Sequence, residues 1–580
     1  MVCFFRKSLA GIVLVIGMFS LQAQAQDAGI LVKRGQQKMA TKDYKGAVQD
    51  FTEALELLPE EVNLYVNRSL AKQQLKNYAG AEEDLGFAIE IDSANADLFF
   101  KRGIVTGLMN NVAGAIEDYS ISIGLNPNNA NVYFNRGIEK ERLKKPEAAL
   151  EDYNKALALN PKYGDVYFNR GVVRAALDDK DGAMQDYSKA LIYNPKNASA
   201  YFNRAIQKSD FQDFAGALSD YNNAIRLSPG FVSAWFNRGY VKTRLNNMQG
   251  ALADFNKAIQ LEPAADIYYS RGIVKAALKD HKGAIQDYNK VIALDSSIEN
   301  VFFNRALSKM QLNDFAGAIP DLDQALQESQ ANSDIYYNRG VARRTLQQYQ
   351  AAATDFDKAI VLKPRNSDLY VNRGLVKTVL GDTLGAIKDF SKAIDLDPRN
   401  SGAWFNRGIQ YGHLKLYSQA LEDYNAVLAI RPGYADVYFN RGVIKATLKD
   451  NQGAIADYTA AIRYQPGLGA AYYNRGIERA ALQSYQAALA DFNRAVQLLE
   501  AKPDLYFNRA LVKGNLKQYA AALADYNKAL QLDPANADLL LNRGITRAIL
   551  KDKAGACSDL QKAKDLGNPQ ADAELLKSCQ

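Results

Sequence analysis

Between Asp436 and Pro466 the chain reads DVYFNRGVIKATLKDNQGAIADYTAAIRYQP, and its apolar and small residues fall at helical rather than strand spacing. Tyr438 and Gly442 share one stripe, and Ala454, Tyr458 and Ala461 form a second. A polar run from Lys449 to Gln452 interrupts the pattern and Pro466 ends it, while Asp436 stands where an N-cap for the first helix is expected. The pattern predicts two amphipathic helices joined by a short turn. Gly442 and Ala454 are small enough to let the two approach closely.

This unit recurs through the chain. An arginine, usually within the triplet NRG, falls at 34, 68, 102, 136, 170, 204, 238, 271, 305, 339, 373, 407, 441, 475, 509 and 543. Fourteen of the fifteen intervals are 34 residues and one is 33. A fixed period of this size predicts a solenoid in which each hairpin buries its apolar face only against its neighbours. The expected fold is therefore all-α: an α-α superhelix of about 16 hairpins, with "NPQADAELLKSCQ" as a C-terminal capping helix. The short interval lies between Pro263 and Arg271, so a bend or division is expected there. That separates repeats 1–7 over 28–264 from repeats 8–16 over 265–570, with the cap over 571–580.

Two charges sit on stripes that should be buried. The arginine occurs in all sixteen units, and so does an aspartate sixteen residues later, as in Arg441 with Asp457 and Arg339 with Asp355. With Gly442 facing Ala454, the two lie about two residues apart along the helix axes, or ~3 Å at the helical rise. A charge-assisted, bidentate bond between the helices is the expected use, with a ladder for phosphates or carboxylates as the alternative. The spacing leaves open whether each arginine bonds its own aspartate or a neighbour's.

The aromatic Tyr438, the small Gly442, Ala454, the aromatic Tyr458, Ala461 and the closing Pro466 resemble the tetratricopeptide repeat family. The resemblance runs from Ala28 to the C-terminus, and the alanine equivalent to Ala454 is present in all sixteen units. Two positions depart from the family pattern: Arg441 stands where leucine is usual, and Lys445 where tyrosine is usual. A basic residue takes the second place in fourteen units, Thr106 and Tyr411 being the exceptions.

The resemblance implies a superhelix whose concave face, built mostly from first helices, binds proteins or extended peptides. An asparagine precedes the arginine in thirteen units: Asn67, Asn135, Asn169, Asn203, Asn237, Asn304, Asn338, Asn372, Asn406, Asn440, Asn474, Asn508 and Asn542. In the similar superhelix of O-GlcNAc transferases, asparagines at this place form a ladder for an extended peptide. An amide suits that task because it both donates and accepts, whatever the peptide's sequence. The other reading is that these amides only help neighbouring repeats to stack. Mostly aromatic residues come just before, as in Phe134, Phe168, Phe202, Phe236, Tyr337, Phe405 and Phe439, and are expected to line the groove. The family's two-carboxylate clamp for chaperone tails is absent, because acidic residues (Asp165, Asp334, Asp436) and aliphatics (Ile138, Val443) hold its places. Those aspartates read as N-caps.

Composition narrows the function further. A net charge of +7 over 580 residues is mild and does not suggest a nucleic-acid partner. Only His281 and His413 are available for imidazole chemistry, and His413 reads as a surface residue. There is no nucleophile–base pairing, phosphate loop or metal-ligand spacing, so neither an enzyme nor a cofactor is expected.

Arg6 and Lys7 precede an apolar run from Leu9 to Phe19 and the small-x-small motif Ala23-Gln24-Ala25. This predicts a secretory signal over 1–25 and an exported chain, periplasmic or extracellular. No cysteine closes the run, and Cys3 precedes it, which argues against a lipid anchor. Cys557 and Cys579 flank the end of the array, either bonded in an oxidising compartment or as packed thiols. The expected role is a non-catalytic envelope scaffold for protein or peptide partners, of unassigned oligomeric state. A glycan-binding or enzyme-accessory module is the alternative.

Overall fold

The computed structural model describes residues 24–579, all of it helices and turns with no strand among the described residues. The expected secretory signal, apart from its last two positions, lies outside the described residues, as does Cys3. No helix among the described residues is long and apolar enough to cross a membrane.

Repeat 13 shows the build. Its first helix spans Ala435–Thr447 and its second Asn451–Tyr464, 13 and 14 residues. Leu448 and Lys449 turn the chain, with Lys449 left-handed at φ 62, and Asp450 N–H donates to the carbonyl of Lys445 at 2.8 Å. A residue at this place is left-handed in every repeat. Fifteen of the sixteen use a side chain that pays a steric cost for the conformation, and only repeat 11 uses glycine, Gly381 at φ 80. Asp450 caps the second helix by accepting from Gly453 N–H at 2.9 Å. A Cβ at Gly453 would fall 2.0 Å from that carboxylate. Where the cap is not Asp or Asn, at Lys145, Gln348, Leu416, Ser484 and Gln518, the glycine is replaced by Ala148, Ala351, Gln419, Ala487 and Ala521.

Close helix approach follows from small residues meeting rings. Ala454 is fully buried, and a Cβ on Gly442 would lie 2.8 Å from the Tyr458 ring. The final helix, Ala571–Cys579, covers the end of repeat 16, where Ala571, Leu575 and Cys579 join the cluster around Leu540 and Leu560.

The chain divides into two compact units, one ending at Ile298 and one beginning at Glu299, with eight repeats in each. The division expected at 264/265 lies inside the first unit. The missing residue there comes out of the turn alone: Ala264 is extended (φ −122, ψ 152), and the next helix, Ala265–Ala277, keeps its 13 residues. In repeat 9, by contrast, the first helix is cut to the 11 residues Val301–Gln311 behind a left-handed Asn300.

Candidate functional site

The recurrent charges form one clamp per repeat. In repeat 13, Arg441 Nε and Nη2 donate to the two oxygens of Asp457 at 2.8 and 2.6 Å. Lys445, one turn later, lies 2.8 Å from the same carboxylate. Asp457 is 3% exposed, so these bonds replace the water it has lost. Nη1 of Arg441 reaches back to Asn425 of the preceding repeat at 2.6 Å, and the guanidinium lies over the Tyr438 ring at 5.4 Å. Arg339 does the same with Asp355, Arg343 and, one repeat back, Asp323.

All sixteen arginines bond the aspartate of their own repeat. Thirteen also donate to a side chain of the repeat before. The open choice between own and neighbouring repeat resolves as both. In Arg441 three of the five guanidinium N–H groups are committed this way, which makes the arginine a tie between helices and between repeats.

The second cation was visible in the sequence as fourteen basic residues, yet nothing there assigned its partner. All fourteen meet the same buried aspartate. In repeat 12 Tyr411 stands in that place. Arg407 lies between the rings of Trp404 and Tyr411, and burial pushes the Asp423 carboxyl above its ordinary range against the pull of Arg407.

The asparagines share one place on successive first helices and are half-buried. Asn135, Asn338, Asn372, Asn406, Asn440, Asn508 and Asn542 each donate one amide N–H to the carbonyl a turn earlier, at 2.7–3.0 Å. Asn203, Asn237 and Asn474 bond the hydroxyls of Tyr187, Tyr221 and Tyr458 in the preceding repeat. Asn508 also donates to Tyr473 Oη at 2.8 Å, and Asn372 accepts from Arg344. Asn169 and Asn304 occupy the same place on their helices.

The aromatic row is less open than expected. Phe134, Phe168, Phe202, Phe236, Tyr337, Phe405 and Phe439 are half-buried. Each sets its ring against the second-helix ring of its own repeat, at centroid distances of 5.8–6.2 Å. They shape the edge of the face by packing rather than by presenting free ring planes.

Asp165, Asp334 and Asp436 are not N-caps. They lie in the first turn, exposed, where a carboxylate favours the helix dipole. The residue before the helix does any capping, as Asn332 does for Asp334 N–H at 2.9 Å. Cys557 and Cys579 are joined by a disulfide that ties the capping helix to repeat 16, and His413 is exposed. Among the described residues no three His, Cys, Asp or Glu side chains are grouped to hold a metal ion.

Family models described as tetratricopeptide repeat match residues 130–163, 202–266, 244–297, 303–367, 367–400, 390–422, 439–505 and 503–536, more than half the chain. Among solved structures, the chain is similar to a tetratricopeptide repeat protein from Parabacteroides merdae at 24% identity, over 43% of this chain and 98% of that one, with a TM-score of 0.32. It is also similar to the C-terminal part of a TPR repeat-containing protein from Cytophaga hutchinsonii (18% identity, 41% and 98% covered, TM-score 0.36). A third is YrrB, described as a TPR protein with an unusual peptide-binding site (22% identity, 32% and 95% covered, TM-score 0.29). No curated protein matches.

Proposed function

The chain belongs to the tetratricopeptide repeat family of protein-interaction scaffolds, and from that premise we propose that it is a non-catalytic scaffold of the cell envelope. It holds extended peptide or protein segments along the first-helix face of its repeats. The observation that carries this reading is the asparagine row. Seven amides are fixed by the same backbone bond, and five of them, Asn135, Asn338, Asn406, Asn440 and Asn542, hold their second donor and their acceptor alike relative to their own helix, while Asn372 also accepts from Arg344 and Asn508 also donates to Tyr473. A polypeptide backbone, with its alternating N–H and C=O groups, is the ligand that such a row suits whatever the sequence.

Export is supported by the leader pattern and by the disulfide, which persists in oxidising compartments. The glycan alternative draws less support, because the aromatic row spends its rings on packing. The test is cross-linking pull-down from the native envelope with the natural chain and with Asn338, Asn372 and Asn406 changed to Ala. The expected result is loss of partners in the triple variant. An unchanged partner set, or capture of polysaccharide in place of protein, would overturn the reading.

A further inference from the structure

The first-helix face is interrupted between repeats 14 and 15. Most repeats close on a proline where Pro466 stands, but here the residue is Glu500, and the turn runs extended from Leu499 (φ −106, ψ 154) to Lys502 (φ −128, ψ 146). Leu499 swings onto the start of the first helix of its own repeat, against Gly469, where a Cβ would lie 2.8 Å from the leucine side chain. One residue on, repeats 3, 5, 8, 10, 11, 13, 15 and 16 carry an aspartate, and repeat 14 carries Ala470. The extended turn and the small side chain together open a cavity of about 520 Å3.

Its walls are Ala470, Leu499, Leu505 and the ring of Tyr473. That ring is fixed at both ends. Its hydroxyl accepts from Asn508 at 2.8 Å, and its plane meets Phe492 edge-on at 5.9 Å. The rim carries Glu500 and Asp504 against Lys502, one negative charge in excess. Asn474 and Asn508 of the amide row belong to the two repeats on either side.

The geometry points to an anchor site: this cavity takes one bulky apolar side chain, an aromatic ring best, of an extended peptide with a basic residue beside the anchor. It rests on the peptide-binding reading of the asparagine row. The apolar walls supply the burial, the carboxylate excess selects the neighbouring cation, and the volume lies within the range of pockets that enclose a small ligand. Elsewhere the row reads a backbone, but here a side chain is recognised and the register of the peptide is set.

The test measures fluorescence anisotropy of the full chain with labelled nine-residue alanine peptides. One has a central tryptophan between two lysines, one replaces the tryptophan by alanine, and one replaces the lysines by glutamates. Loss of the tryptophan should weaken binding at least about tenfold, and glutamate flanks should weaken it again. Ala470→Phe should fill the cavity and abolish the tryptophan preference, with circular dichroism confirming the fold. Glu500→Lys with Asp504→Asn alters only exposed side chains. It should reverse the charge preference while sparing the tryptophan preference. Equal binding of the tryptophan and alanine peptides, or a preference that survives in folded Ala470→Phe, overturns the anchor. If Asn338, Asn372 and Asn406 changed to Ala still weaken both peptides in that case, the scaffold reading stands without it. Binding of no peptide overturns both.

Discussion

Repeats 12 and 13 are neighbours with the same helix lengths, the same left-handed turn and the same arginine–aspartate bond, yet their buried carboxylates are held differently. Asp457 receives Arg441 on both oxygens and Lys445 on one. Asp423 receives Arg407 alone, and its carboxyl is pushed up by burial. The pair of repeats separates two jobs that the clamp performs. A guanidinium is enough to fix where the helices meet, because its fork and the carboxylate match in shape. In repeat 12 the guanidinium alone leaves the lost hydration of the charge only partly offset.

The largest consequence is in what removal of each aspartate leaves behind. Asp457→Ala strands two cations, Arg441 and Lys445, beside each other in a buried seam and should cost ~3–5 kcal/mol. Asp423→Ala strands only Arg407, which keeps the Trp404 and Tyr411 rings, and should cost about half as much. Urea denaturation, with hydrogen exchange read separately over Asn451–Tyr464 and Tyr417–Ile430, measures both. Equal losses would mean that the second cation adds nothing.

The contact between small residue and ring gives the next effect. A Cβ at Gly442 would come 2.8 Å from the Tyr458 ring, while one at Gly408 would meet Tyr424 at 2.8 Å and the Asp423 Cβ at 3.3 Å as well. Repeats 6 and 15 carry buried Ala205 and Ala510 at this place, facing Tyr221 and Tyr526, so a ring can yield to a methyl. Gly442→Ala and Gly408→Ala should each cost ~1–2 kcal/mol, since the facing ring must move in both repeats. A loss confined to one of the two repeats, by thermal denaturation, would contradict this.

Most of this was legible before any coordinates. The 34-residue interval, the stripes at Tyr438 and Gly442, and the aspartate sixteen residues after each arginine are periodic signals, and periodic signals specify contacts between helices well. What stayed hidden was whatever depends on an individual rotamer or turn. Helical spacing places Phe134 on the first-helix face but does not say that its ring leans on Tyr153. Lys445 looked like a departure from family pattern until its reach to Asp457 appeared. The coupling of Asp450 to Gly453, and its joint loss at Gln348 and Ala351, was there to be found from the sequence. The unit boundary was not, because the helix shortened at Val301 leaves the 34-residue interval unchanged, while the missing residue at 262–264 shortens the interval without shortening a helix.

Acidity separates the two carboxylates without any deletion. Because the folded pKa of Asp423 is raised, folding favours its protonated form. The stability this contributes is present below the ordinary carboxylate range and is lost as pH rises through the raised value. Hydrogen-exchange protection over Tyr417–Ile430 should therefore improve, relative to Asn451–Tyr464, as pH falls from 7 toward 5. Tyr411→Lys should supply the missing cation, draw the Asp423 pKa down, and reverse that trend while adding about 1 kcal/mol near neutrality. The opposite change, Lys445→Tyr, should give repeat 13 the pH response of repeat 12.

The smallest effect is the one the two repeats should share. Lys415 and Lys449 turn the chain in the left-handed region at φ 58 and φ 62, and neither takes part in its clamp. A side chain there costs ~1–2 kcal/mol against glycine, while glycine returns up to ~1 kcal/mol as freedom of the unfolded chain. Lys415→Gly and Lys449→Gly should therefore each stabilise by about 0.5 kcal/mol, equally and without pH dependence, as the natural Gly381 of repeat 11 already illustrates at φ 80. If the gain differed between the two repeats, the difference now assigned to the second cation would have to be sought in the turn, since helix lengths and arginine geometry are common to both.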